Sequence, residues 1–320
     1  MKAHILGGGV MGLCTAVELA GRGIEVSLHD PAPAPGPHAC SWWAGGMLAP
    51  FCEGETAEEP VVRLGQRAAG WWRDAGVEVT QGGTLVLALG RDRQELARFA
   101  RRTEGHEWRD GAGLAQLEPG LAGRHDRALF FPTEAHLTPR KALARLRRRA
   151  AEMGVAFTGA APRDARAIDC RGLAARDALP SLRGVRGEAV TLHAPDIDYA
   201  RPIRLLHPRI PVYLVPRGDN HFMLGATMIE SDARGPASVR SVMELLSSAY
   251  ALDPAFGEAE IVEIGCDARP AFPDNIPHLV ERDGVLYLNG LHRHGYLMAP
   301  VIAGMAADHL TGTRKPELML

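Results

Sequence analysis

The run Ala3-His4-Ile5-Leu6-Gly7-Gly8-Gly9-Val10-Met11-Gly12, with its continuation to Asp30, decides the fold. Ala3–Leu6 is a short apolar segment of strand character, and Gly7–Gly12 satisfies the pattern G-x-G-x-x-G. Leu13, Val17 and Leu19–Ala20 then recur at helical spacing, and Gly23 stands where a helix ends on a left-handed residue. Ile24–Asp30 reads as a second strand that closes on a carboxylate. The glycines divide the mechanical work. The first makes the tight turn, the second lets backbone approach a pyrophosphate, and the third allows close helix–strand packing. The helix start at Val10 and Met11 offers free amides and a partial positive charge to that anion. Asp30, eighteen residues beyond Gly12, is placed to accept from ribose hydroxyls, which argues against a 2′-phosphate. Strand, turn, helix, strand and acid in register mark a Rossmann-like unit for an adenine dinucleotide; NAD and FAD both carry the half that it would hold.

Outward from this unit, the composition narrows the classes of function. The chain has 320 residues, 46% hydrophobic and 23% charged, which suits an ordinary globular protein of one large domain or two interwoven ones. A net charge of −2 provides no global basic field for nucleic acid or an anionic membrane. No uninterrupted apolar run reaches the roughly 18 residues of a membrane span. The start Met1-Lys2 has no apolar leader behind it, and the five cysteines (Cys14, Cys40, Cys52, Cys170, Cys266) are odd in number and form no C-x-x-C. A cytoplasmic protein without disulfides or structural zinc is the expectation.

Only one such β-α-β unit is present. The Pro-rich segment 31–37 is loop, after which helices are expected at 61–75, 92–104, 138–153, 238–251 and 297–311. Strands are expected at 77–80, 84–89, 128–131, 166–169, 186–193, 211–216, 221–226, 259–266 and 285–289. The fold class is therefore α/β: a Rossmann-like FAD-binding or NAD-binding domain with an inserted, mostly antiparallel α+β substrate domain. The division expected is 1–57, 138–190 and 277–320 for the nucleotide domain, and 58–137 with 191–276 for the substrate domain. Near the end, Val285–Gly290 is a strand, and Leu291–Tyr296 leads into a helix over Leu297–Leu310 with Pro300 in its first turn, where a missing N–H costs nothing. A helix start aimed into the nucleotide domain would stabilise the negative charge that a flavin ring gains on reduction. This favours FAD over NAD.

Four segments in order, Gly7–Gly12, Ser41–Pro50, Ala268-Arg269-Pro270 and Gly290–Pro300, resemble the D-amino-acid oxidase superfamily, most closely the bacterial glycine oxidases of thiazole synthesis. The resemblance spans nearly the whole chain. It implies non-covalent FAD held by Gly7, Gly9, Val10, Met11, Gly12 and Asp30 on the adenosine side. Ser41, Ala44, Gly45, Gly46 and Met47 would lie along the flavin ring, where small residues let backbone amides approach. Cys170 and Gly172, from the late strand-plus-glycine element, and Gly290, His292, Arg293, His294, Gly295, Tyr296 and Leu297 would complete the cofactor site with Arg269. The implied reaction removes hydride from the carbon bearing an amine, passes it to flavin N5, and uses dioxygen to reoxidise the flavin, with an imine and hydrogen peroxide as products.

The substrate residues implied are Arg269, Tyr213 and Arg293. Arg269 precedes a rigid Pro270, and a planar guanidinium matches a carboxylate bidentately as lysine cannot. Tyr213 corresponds to a tyrosine of the family's substrate site, and Trp42, Trp43 and Met47 are bulky enough to narrow it. Glycine, sarcosine and small D-amino acids all satisfy these features, and a dehydrogenase that passes electrons to quinone is the alternative reading. No base on carbon is needed, because the hydrogen leaves with its electrons. His292 and His294 lack a nearby acid, so no metal site is expected. Cys266 reads as a small buried thiol rather than a flavin attachment point. The basic run Arg140–Arg149 places Ala142, Leu143, Leu146 and Ala150 on one buried helix face, leaving its arginines solvated rather than on RNA. The partners expected are a small amino acid or amine and dioxygen, in a homo-oligomer without nucleic acid or membrane insertion.

Overall fold

The computed structural model describes residues 1–206 and 211–320. Two sheets organise the chain. The first has six strands in the order His278–Arg282, Val285–Asn289, Arg166–Asp169, Lys2–Leu6, Glu25–His29, Ala156–Phe157. All its neighbours run parallel except the edge pair His278–Arg282 and Val285–Asn289. Ala3–Ile5 and Ile168–Asp169 are buried because helices Val10–Gly21, Pro139–Glu152 and Gly295–Thr311 close over their strands, forming one apolar core around Ile5, Leu13, Leu143 and Ile302. The helix Val10–Gly21 stops at Arg22, and Gly23 has φ +75°, as its place in the sequence predicts.

The second sheet has nine strands. Arg183–His193 pairs with Glu260–Ala271 on one side and with Ile229–Glu230 and His221–Gly225 on the other, and Val212–Gly218, Ile203–Leu206, Thr84–Ala88, Arg127–Phe131 and Glu107–Asp110 follow in order beyond His221–Gly225. Its pairs are antiparallel except Ile203–Leu206 with Thr84–Ala88. The helix Val239–Leu252 covers one face through Leu245, Ala249 and Leu252. The mixed architecture of one parallel and one antiparallel sheet is the one expected.

Several expectations need correction. Arg183–His193 is bonded along its length to Glu260–Ala271, so a domain boundary after residue 190 would cut a continuous strand; we place it before Arg183. The expected helix at 61–75 is two helices, Glu59–Gly65 and Ala68–Asp74, and both pack in the first core through Val61, Leu64 and Trp72. Residues 77–80 form no strand; Thr80 alone bridges to His136, because Gly76 and Gly83 turn the chain at positive φ on either side. The last helix begins at Gly295, two residues earlier than expected, which puts Pro300 inside it. Pro300 has no N–H for the carbonyl four residues back, Tyr296 O, and that carbonyl instead accepts the indole N–H of buried Trp72 at 2.8 Å.

Candidate active site

A cavity of about 660 Å³ lies between the sheets, at the carboxyl ends of Lys2–Leu6, Glu25–His29 and Arg166–Asp169, where the parallel strand order switches direction. Its adenosine end is shaped by glycines. Gly7 has φ +102°, and a Cβ there would meet Cys170 O at 2.6 Å; Gly12 brings the helix so close that a Cβ would fall 1.8 Å from Gly7 O. At Gly9 a Cβ would touch only Ser41 Oγ, at 3.5 Å, so this glycine leaves open space facing the cavity. The N-cap Gly9 brings no side chain to the helix that begins at Val10; Val10 N makes a long bond, 3.4 Å, to Ser41 Oγ, and the helix start lines the cavity. Asp30 lines the cavity while its carboxylate accepts from Gly8 N at 2.6 Å and Ala32 N at 2.9 Å. It therefore holds the glycine turn as well as facing the ribose position.

The middle of the cavity is built from the Cys40–Trp43 turn, the Ala44–Gly46 loop and the start of the last helix. Arg217, which the sequence reading passes over, donates to Ala44 O at 3.1 Å and Gly45 O at 2.9 Å. Gly46 has φ +73°, and a Cβ there would lie 2.2 Å from Leu137 O. The loop is thereby pinned with its backbone against the cavity. Tyr296 anchors the facing helix through its hydroxyl, which donates to Ser41 O at 2.9 Å, and through its ring, stacked on Trp72. Gly295, Tyr296 and Leu297 all reach the cavity wall, so the positive end of this helix points inward.

At the far end, half-buried Arg269 lies over Gly187, where a Cβ would sit 1.8 Å from its Nη2. Its hydrogen bonds are long, Nη1 and Nη2 each 3.4 Å from Thr227 O, and no carboxylate pairs with it among the described residues. Burial, with Arg293 nearby, lowers its guanidinium to about 10, the mark of a cation lacking a counter-ion. Around it stands a network of charge pairs. Tyr213 OH donates to Glu53 Oε1 at 2.7 Å and accepts from Arg204 Nη1 at 2.8 Å; Arg204 Nη2 donates to Glu55 Oε2 at 2.9 Å. Arg293 donates to Glu53 Oε2. Burial would raise the Glu53 carboxyl, but Arg293 and Arg204 overcome it and hold the group at about 2. Burial keeps His292 and His294 neutral, at about 3 and about 4.

The expected site residues thus gather in one cavity, with a few exceptions. Gly12 and Gly290 do not line it: Gly12 serves helix–strand packing, and Gly290, at φ +77°, lies under the Phe272 ring. Trp43 and Met47 line the cavity, but Trp42 turns away beneath the Arg140 guanidinium. Cys266 lies outside the cavity wall, whereas Cys40 is part of it. Glu53 and Arg204 escape the sequence reading, although Arg204 stands alone as a charge in the apolar run Ile203–Leu206 and Glu53 closely follows the Ser41–Pro50 segment. Among the described residues no group of three or more His, Cys, Asp or Glu is placed to hold a metal, and no helix is long and apolar enough to cross a membrane.

This cavity, at the switch point of a parallel sheet and closed by an antiparallel one, defines a dinucleotide-dependent oxidoreductase. The family model for FAD dependent oxidoreductases matches residues 2–309, and the chain belongs to that family. It is 51% identical, over 99% of both chains, to a Rhizobium etli protein bearing the provisional name thiamine biosynthesis oxidoreductase ThiO. It is 27% identical to a glycine oxidase of Pseudomonas aeruginosa, over 98% of this chain and 96% of that one. Among solved structures, glycine oxidase from Geobacillus kaustophilus superposes with a TM-score of 0.82 at 24% identity, covering 98% of this chain and 96% of that chain, and so shares the fold. The open space at Gly9, the inward-facing helix start and the pinned loop suit FAD, and the chain is a glycine-oxidase-like, FAD-dependent enzyme.

Proposed function

We propose that the protein oxidises glycine, or another small amine with a carboxylate on the reacting carbon, and that the product feeds the thiazole of thiamine. The observation that carries this reading is Arg269, a half-buried guanidinium without a carboxylate partner among the described residues, in the same cavity as the inward-pointing start of the last helix. A substrate carboxylate would provide the charge-assisted, bidentate partner that Arg269 lacks. Bound FAD supplies the hydride acceptor in this cavity, and dioxygen takes the electrons onward to give hydrogen peroxide.

The chain's own residues act by binding and orientation. Arg269 fixes the carboxylate, while Met47, Met223 and Tyr213 bound the space left for the rest of the substrate. The reacting form is the neutral amine, whose lone pair assists hydride departure as the imine forms. The test is anaerobic mixing of the purified yellow protein with glycine, sarcosine, D-alanine and D-proline in turn. Bleaching by glycine that recovers in air with hydrogen peroxide is expected. Bleaching without recovery in air would favour a quinone-linked dehydrogenase, and no bleaching by any of the four would overturn the substrate class.

A further inference from the structure

Arg293 is a second guanidinium in the substrate end of the cavity, and it is not free. Glu53, at the end of the short helix Pro50–Glu53, takes it up: one carboxylate oxygen accepts from Arg293 and the other from Tyr213 OH at 2.7 Å. Arg204, behind Tyr213, is matched by Glu55 at 2.9 Å. Of these three arginines only Arg269 has no carboxylate among the described residues. We propose that Glu53 sets the charge class of the substrate: by holding Arg293 it leaves one free anion site and confines the enzyme to amines with a single carboxylate.

The inference rests on the amine-oxidase reading above and deepens it. A dicarboxylic amine such as iminodiacetate would bring its second carboxylate toward Arg293. To pair there it must displace Glu53, a side chain only 10% exposed, and leave two carboxylates facing one guanidinium. Rejection through a repulsive element of this kind is a general route to specificity. The network keeps Glu53 ionised at any working pH, since its carboxyl is held at about 2. Glu53 acts through Arg293 and is a positioning residue, so its signature is a change in preference between ligands rather than a loss of turnover alone.

The experiment uses the FAD-loaded wild type and Glu53→Gln, titrated with glycolate (one carboxylate) and malonate (two) while the flavin absorption is followed. Wild type should bind glycolate more tightly. In Glu53→Gln the malonate-to-glycolate affinity ratio should rise by about tenfold or more, as a freed guanidinium gains a charge-assisted partner. That rise should vanish in Glu53→Gln/Arg293→Met. An unchanged ratio in a yellow Glu53→Gln protein, or a rise that survives removal of Arg293, overturns the proposal. Should Glu53→Gln lose its flavin, Arg293→Met in the wild-type background decides: an unchanged ratio supports a sequestered Arg293, and a selective loss of malonate binding refutes it. Failure of the wild type to bleach with glycine would count against the amine-oxidase reading alone, because these affinities do not depend on turnover.

Discussion

Pro300 and Trp72 make a prediction that can be worked through from the structure. The last helix presents its start to the cavity, yet its ladder is broken where Pro300 offers no N–H to Tyr296 O, and Trp72, 224 positions earlier in the chain, donates from its indole at 2.8 Å. Trp72→Phe keeps a ring in place but removes this donor. The orphaned carbonyl costs about 1–3 kcal/mol, and the lost ring volume adds about 1 kcal/mol. Pro300→Ala restores a backbone N–H at the right position, so in that background Trp72→Phe should show the volume cost alone. The difference between the two backgrounds, about 1–3 kcal/mol, is the coupling energy of the pair. Urea unfolding of the four FAD-loaded proteins, followed by far-ultraviolet circular dichroism, measures it. Changes in the unfolded state from losing proline cancel around the cycle. Additivity within about 0.5 kcal/mol would refute the idea that the indole replaces the missing amide.

Other consequences follow from named contacts. Arg269→Met should raise the KM for glycine by about a hundredfold, as one or two charge-assisted bonds are lost, while the protein stays yellow; unchanged apparent affinity would remove Arg269 from the substrate site. Gly9→Ala should fold and bind FAD more weakly, because its Cβ enters open cavity, whereas Gly12→Ala should not fold stably with a Cβ 1.8 Å from Gly7 O; equal thermal stability of the two would contradict the packing. Glu134 is buried, with one oxygen on Cys52 N at 2.6 Å, and burial pushes its carboxyl up to about 8. A raised acid binds more protons folded than unfolded, so stability should fall as pH rises from about 4.5 towards about 8. Glu134→Gln should match the wild type near pH 5 and exceed it by about 4 kcal/mol near pH 9; parallel stability curves would exclude this burial effect.

The parts of this molecule that can be read from its sequence are those that local chemistry dictates. The turn at Gly7–Gly12 needs glycine because carbonyls approach within van der Waals reach, and that need is written in the residues themselves. Helix periodicity likewise marks the buried face of Pro139–Glu152, where Ala142, Leu143, Leu146 and Ala150 are all fully buried. Misreadings arise where a distant group changes a local rule. A proline reads as a helix start until an indole from another helix is seen to take over the carbonyl it leaves. Residues 77–80 read as a strand because they alternate, but positive-φ glycines at 76 and 83 limit them to a single bridge.

Charge pairing is the least legible property of all, and here it sets Arg269 apart from three other arginines. Arg204, Arg217, Arg269 and Arg293 have the same chemistry and look alike in a chain with 36 Lys and Arg residues. Folding distinguishes them by what each finds. Arg204 and Arg293 meet carboxylates that lie 149 and 240 positions away in the chain, and Arg217 meets the backbone carbonyls of a loop 172 and 173 positions away. Arg269 meets only Thr227 O among the described residues, at 3.4 Å. A half-buried cation without a counter-ion is costly, and on the reading proposed above a substrate carboxylate offsets that cost. The family resemblance singles out Arg269 by position; what folding adds is that Glu53 gives its carboxylate to Arg293 and not to Arg269, which is why we propose Arg269 as the substrate anchor.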